Sequence, residues 1–426
     1  MIDTIAQHLA NKPILGVVFA IALIGVVLSI PYFLKQKKLY GSPFEFAPKS
    51  RKVWTGIACV VTLGIGIYLT TPYVEPPSDE IAIILGNTQN SPAPSISGDL
   101  SEVISSTMLA HKGEDIDTII DSIRFISAVK QPDVIDLGKT GVKLSTISHN
   151  TSNAKRDAKR NITAIEEKLN SLKPSDNGAN YFEAIMEARS NVKPGSRIIV
   201  IGSGLSDSGD LNFSKTNLLT NEETRKNTIQ RIQEKYGSDH LENYSVEFYG
   251  LGDTTAPQEA LSNIQKDIVR DIYKESIRKL GGKVTINTRT QAGGSVATEY
   301  VVGTTDTGCG DIKLVFDDED LKFIGDKAIF IDEASAIKAL SSIGTIWNAQ
   351  RDTIEHIQID GYTAHYPGAD TLSQERADTV KKSLVGLGIP TDKITATGKG
   401  YGPYKTDAQN RTVKVNISRD NKQCAN

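Results

Sequence analysis

The chain has 426 residues, too many for one ordinary core, so two or more domains are expected. Acidic and basic residues are mixed and the formal net charge is −3, so there is no basic surface for nucleic acid and no such partner is expected. The 3 cysteines are too few for a disulfide scaffold, and the 6 histidines form no HExxH or CxxC pattern, so neither a metal nor any other cofactor is expected.

Two uncharged apolar runs open the chain, residues 14–34 ("ILGVVFAIALIGVVLSIPYFL") and residues 53–74 ("VWTGIACVVTLGIGIYLTTPYV"). Each is long enough to cross a bilayer core. The loop between them, residues 35–52, carries Lys35, Lys37, Lys38, Lys49, Arg51 and Lys52 against Glu45 alone. Short loops dense in Lys and Arg stay in the cytoplasm. Residues 1–78 are therefore expected to form a two-span hairpin in the cell membrane, with the lipid bilayer as a partner and residues 79–426 outside the cytoplasm. A cleaved signal peptide is the poorer reading, because the first run lacks a basic n-region and a small-residue cleavage site. A stator helix would need a carboxylate within the membrane, and neither run has one.

Between residues 79 and 290, short apolar runs end at small polar residues. Ile81 to Leu85 stops at Gly86, Ile198 to Ile201 stops at "GSG", and Val246, Phe248 and Leu251 alternate before a Gly-Asp turn. Charged segments of helical spacing separate them, among them "NAKRDAKRNITAIEEKLNSL". Alternation of this kind implies a mostly parallel sheet with its loops gathered at the strand C-termini. The apolar spacing of "IDTIIDSI" (residues 116–123) suits a helix, but its place in the alternation predicts a strand.

This region resembles a von Willebrand factor A-like domain, a Rossmann-like α/β fold. The strand and loop of residues 81–90 stand where that family keeps its metal loop, "GANYFEAIMEA" where its central Thr loop opens a helix, and "IGSGLSD" where a strand ends in Asp-Gly. At those places this chain has Asn87, Thr88 and Asn90, then Asn180, then Ser203, with Asp207 nearby. A hard divalent cation wants oxygen ligands with anionic charge, so the metal loop is degenerate and metal-free. The phrases "NSPAP", "SGLSDSGDLNF" and "GLGDTTAPQ" resemble the A-like module of Gram-positive envelope proteins that also carry a terminal OmpA-like domain. The resemblance implies a scaffold or protein-binding domain; the plainer alternative is that these polar loops only cap strands.

Residues 291–310 read as a linker. Beyond it, apolar residues alternate at Leu321, Phe323 and later Ile329 and Ile331, and "EASAIKALSSIGTIWN" has helical spacing. "IEHIQIDGYT" alternates at Ile354, Ile357 and Ile359, and "SQERADTVKKSLVGLG" is an amphipathic helix with Ala377, Val380, Leu384 and Leu387 on one face. Ser373 is the expected N-cap, and Gly386 and Gly388 stop the helix before Pro390. "KITATGKG" and "NRTVKVNI" supply two more strands, completing β-α-β-α-β-β over residues 311–426.

This order, with "GYT", "LSQERADTV", "LGIPTDKITATGKGYGP" and "NRTVKV", resembles the OmpA-like peptidoglycan-binding domain. In that family a helix-opening arginine and a loop aspartate grip the diaminopimelate of the peptide stem. A guanidinium near a helix N-terminus suits a carboxylate, and an aspartate suits an ammonium. The resemblance places Arg376 at the arginine position and Ala364 at the aspartate position, where alanine is typical of the Gram-positive branch. Asp370 and His365 are the candidate substitutes. Gly361, Thr363 and Ser373 shape the loop, and Asn410 and Arg411 are assigned support. The alternative for Arg376 is a solvated first-turn residue paired with Glu375 or Asp378. In the resembled fold the first and last strands run side by side, which implies a Cys309–Cys424 disulfide.

These readings give a membrane-anchored envelope protein that binds the peptidoglycan stem peptide. The alternative is a protein-interaction receptor whose OmpA-like domain no longer binds the wall. No Ser/His/Asp set, phosphate loop or paired-carboxylate motif supports an enzyme.

Overall fold

The strand β1 (Ile81–Leu85) is apolar and buried at every position, as a strand covered on both faces must be. In the computed structural model, the residues described are 78–420 apart from 97, 292 and 309, together with residues 30 and 34. The chain divides into two compact units, residues 1–76 and residues 77–426. The expected spans at 14–34 and 53–74 and the loop at 35–52 lie outside the described residues, except that Ile30 and Leu34 are helical and exposed. Among the described residues no helix is long and apolar enough to cross a membrane.

In the second unit, β1 lies between β2 (Ile123–Ser127) and β4 (Arg197–Ile201). β5 (Ser245–Tyr249) and β6 (Lys283–Asn287) continue the sheet in parallel, while the short β3 (Asp133–Ile135) closes the far edge antiparallel to β2. The order β3-β2-β1-β4-β5-β6 reverses direction between β1 and β4. In open α/β sheets that switch point leaves a crevice beyond the strand C-termini. One face packs on α1 (Asp99–Ala110), α2 (Ile116–Asp121) and α3 (Thr151–Ser171). The other face packs on α4 (Tyr181–Asn191), α5 (Glu222–Tyr236) and α6 (Asn263–Lys279).

The strand expected over 116–123 is corrected to a helix over 116–121, with β2 starting at Ile123. Ile119 is buried while Ile116 and Ile120 pack against the core's edge. The helical spacing decided the structure, and the place in the alternation misled.

The second sheet has the order β7-β10-β8-β9. β10 (Val413–Arg419) runs antiparallel to β7 (Ile312–Phe316) and to β8 (Ile354–Thr363), and β9 (Ile394–Tyr401) lies parallel to β8. Helices α7 (Glu333–Gln350) and α8 (Ala369–Gly386) contribute Leu340, Ile343, Val380 and Leu384 to a core with Leu314, Ile357 and Val415. A single turn, α9 (Asp407–Asn410), precedes β10. The alternation at Leu321, Phe323, Ile329 and Ile331 makes no sheet strand. It folds on itself, with Ile324 N–H donating to Ile329 O and the Phe323 and Phe330 rings 4.8 Å apart. The first strand is instead the preceding "IKLVF", whose Ile312, Leu314 and Phe316 point inward. β7 and β10 do lie antiparallel, with Ile312 opposite Ile417, but Cys309 and Cys424 fall outside the described residues.

The expected linker is packed and does not trail. Tyr300, Val302 and Thr304 are buried, Gly178 N–H donates to Val301 O at 2.8 Å, and Thr304 N–H donates to Lys313 O at 2.7 Å.

Two outcomes follow from this packing. A Cβ at Gly361 on β8 would stand 2.4 Å from Ser373 O of α8. Gly361→Ala should therefore lower stability by about 1–3 kcal/mol, seen as a lower urea midpoint. On the face of the same sheet away from α8, Lys414 Nζ lies 4.7 Å from the Tyr362 ring and 5.2 Å from the Tyr404 ring. Burial pushes its pKa down to about 8, with Asp360 opposing. The unfolded chain then binds more protons than the folded one between that value and an ordinary lysine's ~10.4, so this contribution to stability grows as pH rises through the window. The melting-temperature difference between Lys414→Met and the parent should accordingly decline from pH 7 to pH 10.

Candidate functional site

Gly368 takes φ 102, a conformation open to glycine, and α8 starts directly after it, with Leu372 N–H donating to Gly368 O. Arg376 therefore sits about two turns into the helix and not at its mouth. Ser373 is likewise no N-cap. It is fully buried, donates to Asp370 O at 2.9 Å and accepts from Gly400 N–H at 2.9 Å, riveting α8 to β9.

Side chains on a helix lean toward its N-terminus, which carries the Arg376 guanidinium back over the first turns. It is 6 % exposed, so the expected alternative of a solvated pair with Glu375 or Asp378 is not what is found. Its Nε donates to Lys327 O at 3.4 Å, a long bond, and its guanidinium carbon lies 4.9 Å from the centre of the Phe323 ring. Among the described residues it makes no salt bridge. Burial holds its pKa below the ordinary arginine value, with Asp318 and Asp326 opposing and Arg411 assisting; a guanidinium remains charged regardless.

Arg376 stands on the wall of an open cleft of about 380 Å³. Thr363, Ala364, His365, Asp407 and Arg411 also line it. Thr363 is buried at the end of β8, and Gly361 sets the close approach of β8 to α8. Arg411 is exposed and pairs with Asp318 at 3.2 Å. Asn410 does not line the cleft: its amide clamps Tyr404, accepting from Tyr404 N–H at 2.8 Å and donating to Tyr404 O at 3.0 Å. Asp370, a candidate substitute for the missing aspartate, does not line it either, whereas His365 does.

Sequence reasoning missed Phe323, Asp318, Asp326 and Asp407, all of which line this cleft. Asp407 is the first residue of α9, is exposed and accepts from His365 N–H at 3.4 Å. No spacing rule ties it to Arg376, because the two meet only through the pairing of β8, β9 and β10.

The residues expected at a degenerate metal loop gather at the switch point of the larger sheet. Asn87 accepts from Ser127 Oγ at 2.7 Å, Thr88 donates to Asn90 at 2.9 Å, and Asn90 donates to Leu205 O at 2.9 Å. Asn180 caps α4 and donates to Lys130 O at 3.2 Å, while Ser203 N–H donates to Ser91 Oγ at 3.0 Å. Asp207 is buried and accepts from Ala179 N–H at 2.8 Å and Gly303 N–H at 2.6 Å; burial raises its pKa. Each of these residues is engaged with a neighbouring side chain or with backbone.

The OmpA family model matches residues 323–418. Residues 323–418 are an OmpA-like domain. The comparison with curated proteins finds no match. Among solved structures, the periplasmic domain of Helicobacter pylori MotB is similar at 17 % identity, covering 27 % of this chain and 88 % of that one, with TM-score 0.24. The OmpA-like domain of FopA1 from Francisella tularensis is similar at 24 % identity, over 28 % and 84 %, with TM-score 0.22. The peptidoglycan-associated lipoprotein from Burkholderia pseudomallei is similar at 21 % identity, over 24 % and 88 %, with TM-score 0.20.

The OmpA-like domain is joined to the larger sheet through an acidic turn that follows β7. Asp317 and Glu319 grip Lys130, and Asp320 binds Lys215 at 2.6 Å. Burial works against the charges of Lys130 and Asp317, but their mutual attraction outweighs it, raising the lysine pKa and lowering the aspartate pKa. In a double-mutant cycle, Lys130→Ala and Asp317→Ala should show a coupling of about 1 kcal/mol near neutral pH. That coupling should fade in acid as Asp317 protonates.

Proposed function

We propose that this chain is a membrane-anchored envelope protein that binds peptidoglycan non-covalently through its OmpA-like domain, tethering membrane to wall. The apolar runs at 14–34 and 53–74 are read as the anchor. The six-stranded domain, read as von Willebrand factor A-like, serves as a metal-free scaffold or protein-binding module. No catalytic role is assigned to any residue.

The observation that carries the reading is Arg376: a buried guanidinium, without a salt bridge among the described residues, on the wall of an open cleft in an OmpA-like domain. A desolvated cation without a carboxylate of its own is suited to receive one from a ligand. Arg376 and Arg411 take the stem-peptide carboxylate, while Gly361, Thr363 and Ser373 hold the loop, and Asn410 holds the turn before β10. Ala364 supplies no anion for the ligand's ammonium, and Asp407 takes that part from across the cleft. The second reading, a protein receptor indifferent to the wall, is favoured by Ala364 alone.

Co-sedimentation with purified sacculi separates the two. The parent should pellet, and Arg376→Ala should need about tenfold more sacculi or worse, as expected for a lost charge-assisted contact. Asp407→Ala should weaken binding less. A parent that stays in the supernatant ends the wall-binding reading and leaves the receptor.

A further inference from the structure

Residues 298–305 cross from the six-stranded domain toward β7 without helix or strand, yet their main chain is held on both edges. Toward the larger sheet, Val301 N–H donates to Asn177 Oδ1 at 2.9 Å, Gly303 N–H to Asp207 Oδ2 at 2.6 Å and Thr305 N–H to Gln258 Oε1 at 2.6 Å. Gln258 Nε2 also donates to Thr305 O at 3.1 Å, and Gly178 N–H donates to Val301 O at 2.8 Å. Thr304 N–H turns the other way, to Lys313 O of β7 at 2.7 Å. Successive residues therefore offer their backbone to opposite sides, as an extended chain does. Asn177, Asp207 and Gln258 are buried and come from three separate loops of the larger domain. What all three grip is peptide backbone, which any sequence supplies. Side chains matter at Val302, which joins the core under α4, α5 and α6, and at Gly303, where a Cβ would stand 3.1 Å from Asp207 Cβ.

We infer that Asn177, Asp207 and Gln258 line a groove for an extended peptide, which residues 298–305 keep shut as the chain's own ligand. When this strap lifts, the groove takes an extended segment of a partner protein, with an apolar residue followed by glycine as in Val302-Gly303. The inference rests on the protein-binding reading of the six-stranded domain and is independent of wall binding. Buried amides and carboxylates left without partners are costly, so the three side chains favour one peptide or another over none. A partner would make the same bonds that the strap makes, and the tethered strap competes at high effective concentration, so the closed chain excludes it. The strap's other edge belongs to β7, so movement of the OmpA-like domain is passed to it directly. Opening of the groove is thereby coupled to the position of the smaller domain.

The test uses the full chain and a fluorescent peptide that copies residues 298–305, with binding read by anisotropy. Gly303→Ala crowds the strap against Asp207 and leaves the groove's own side chains intact. This variant should bind the peptide about tenfold more tightly than the parent, or better still. Adding Gln258→Ala to it should remove most of that gain, and a peptide with alanine for its glycine should bind poorly. Equal binding by the parent and Gly303→Ala, or indifference to Gln258→Ala, overturns the inference. Hydrogen exchange on the parent decides the matter if Gly303→Ala does not fold. The amides of Val301, Gly303 and Thr305 should exchange together and about tenfold or more faster than those of β4, through an opening short of global unfolding. If they exchange only as fast as β4, the strap does not lift and the inference falls. Sacculi play no part in either measurement, so failure here leaves the wall-binding reading untouched.

Discussion

A guanidinium taken out of water must be satisfied by something, and the way Arg376 is satisfied governs the shape around it. A carboxylate would neutralise it and fill the cleft; instead it rests on the Phe323 ring and reaches the Lys327 carbonyl. Both come from the self-folded loop between β7 and α7, which packs its own Phe323 on Phe330. Thr379 of α8 fastens the same loop by donating to Ala328 O at 2.8 Å. The loop thus supports the arginine from the apolar side and leaves its polar side to the cleft. The opposite wall is fixed by backbone proximity. Gly361 and Gly398 let β8 and β9 approach α8, and Gln374 Oε1 accepts from Gly398 N–H at 2.7 Å.

Charge also runs outward from that cleft. Arg411 on its rim is held by Asp318, and the residues on either side of Asp318 hold Lys130 of the larger sheet. One short acidic turn thereby serves a cleft residue with one carboxylate and the domain junction with the others. Ion pairs at this exposure contribute modestly one by one. Placed on consecutive residues they fix the turn, and through it the position of Arg411.

Much of this was legible in the sequence and some was not, for physical reasons. The β-α-β-α-β-β order of the C-terminal region could be read because α7, α8 and strands β8 and β10 each bury one clean face at the right period. Residues 116–121 were misread because their place between strands outweighed a helical spacing that lasts only about a turn and a half. The alternation from Leu321 to Ile331 was misread as well: its outward isoleucines, Ile329 and Ile331, face solvent, while its inward Phe323 lies against an arginine. Arg376 itself was found from its motif, but its setting was not. An extra turn at the start of α8 moved it inward, and the only local sign was Gly368, whose positive φ a sequence does not announce. Asp407 was invisible because it reaches the cleft only through strand pairing across the sheet.

The two places where polar residues gather differ in a way that bears on function. At the switch point of the six-stranded sheet, where such folds commonly hold ligands, Asn87, Thr88, Asn90, Asn180 and Ser203 each hydrogen-bond a neighbouring side chain or backbone group. The carboxylate nearest to them, Asp207, is buried on the backbone of Ala179 and of Gly303 in the segment leading to β7. Binding there would break existing bonds before making new ones, so each group a ligand gained would be offset by one the protein lost. At the Arg376 cleft the balance is reversed, because a ligand carboxylate would add to the guanidinium's contacts and need displace only water or the Arg411–Asp318 pair. Recognition chemistry is therefore expected in the smaller sheet's cleft, while the larger sheet's polar crown works as internal structure.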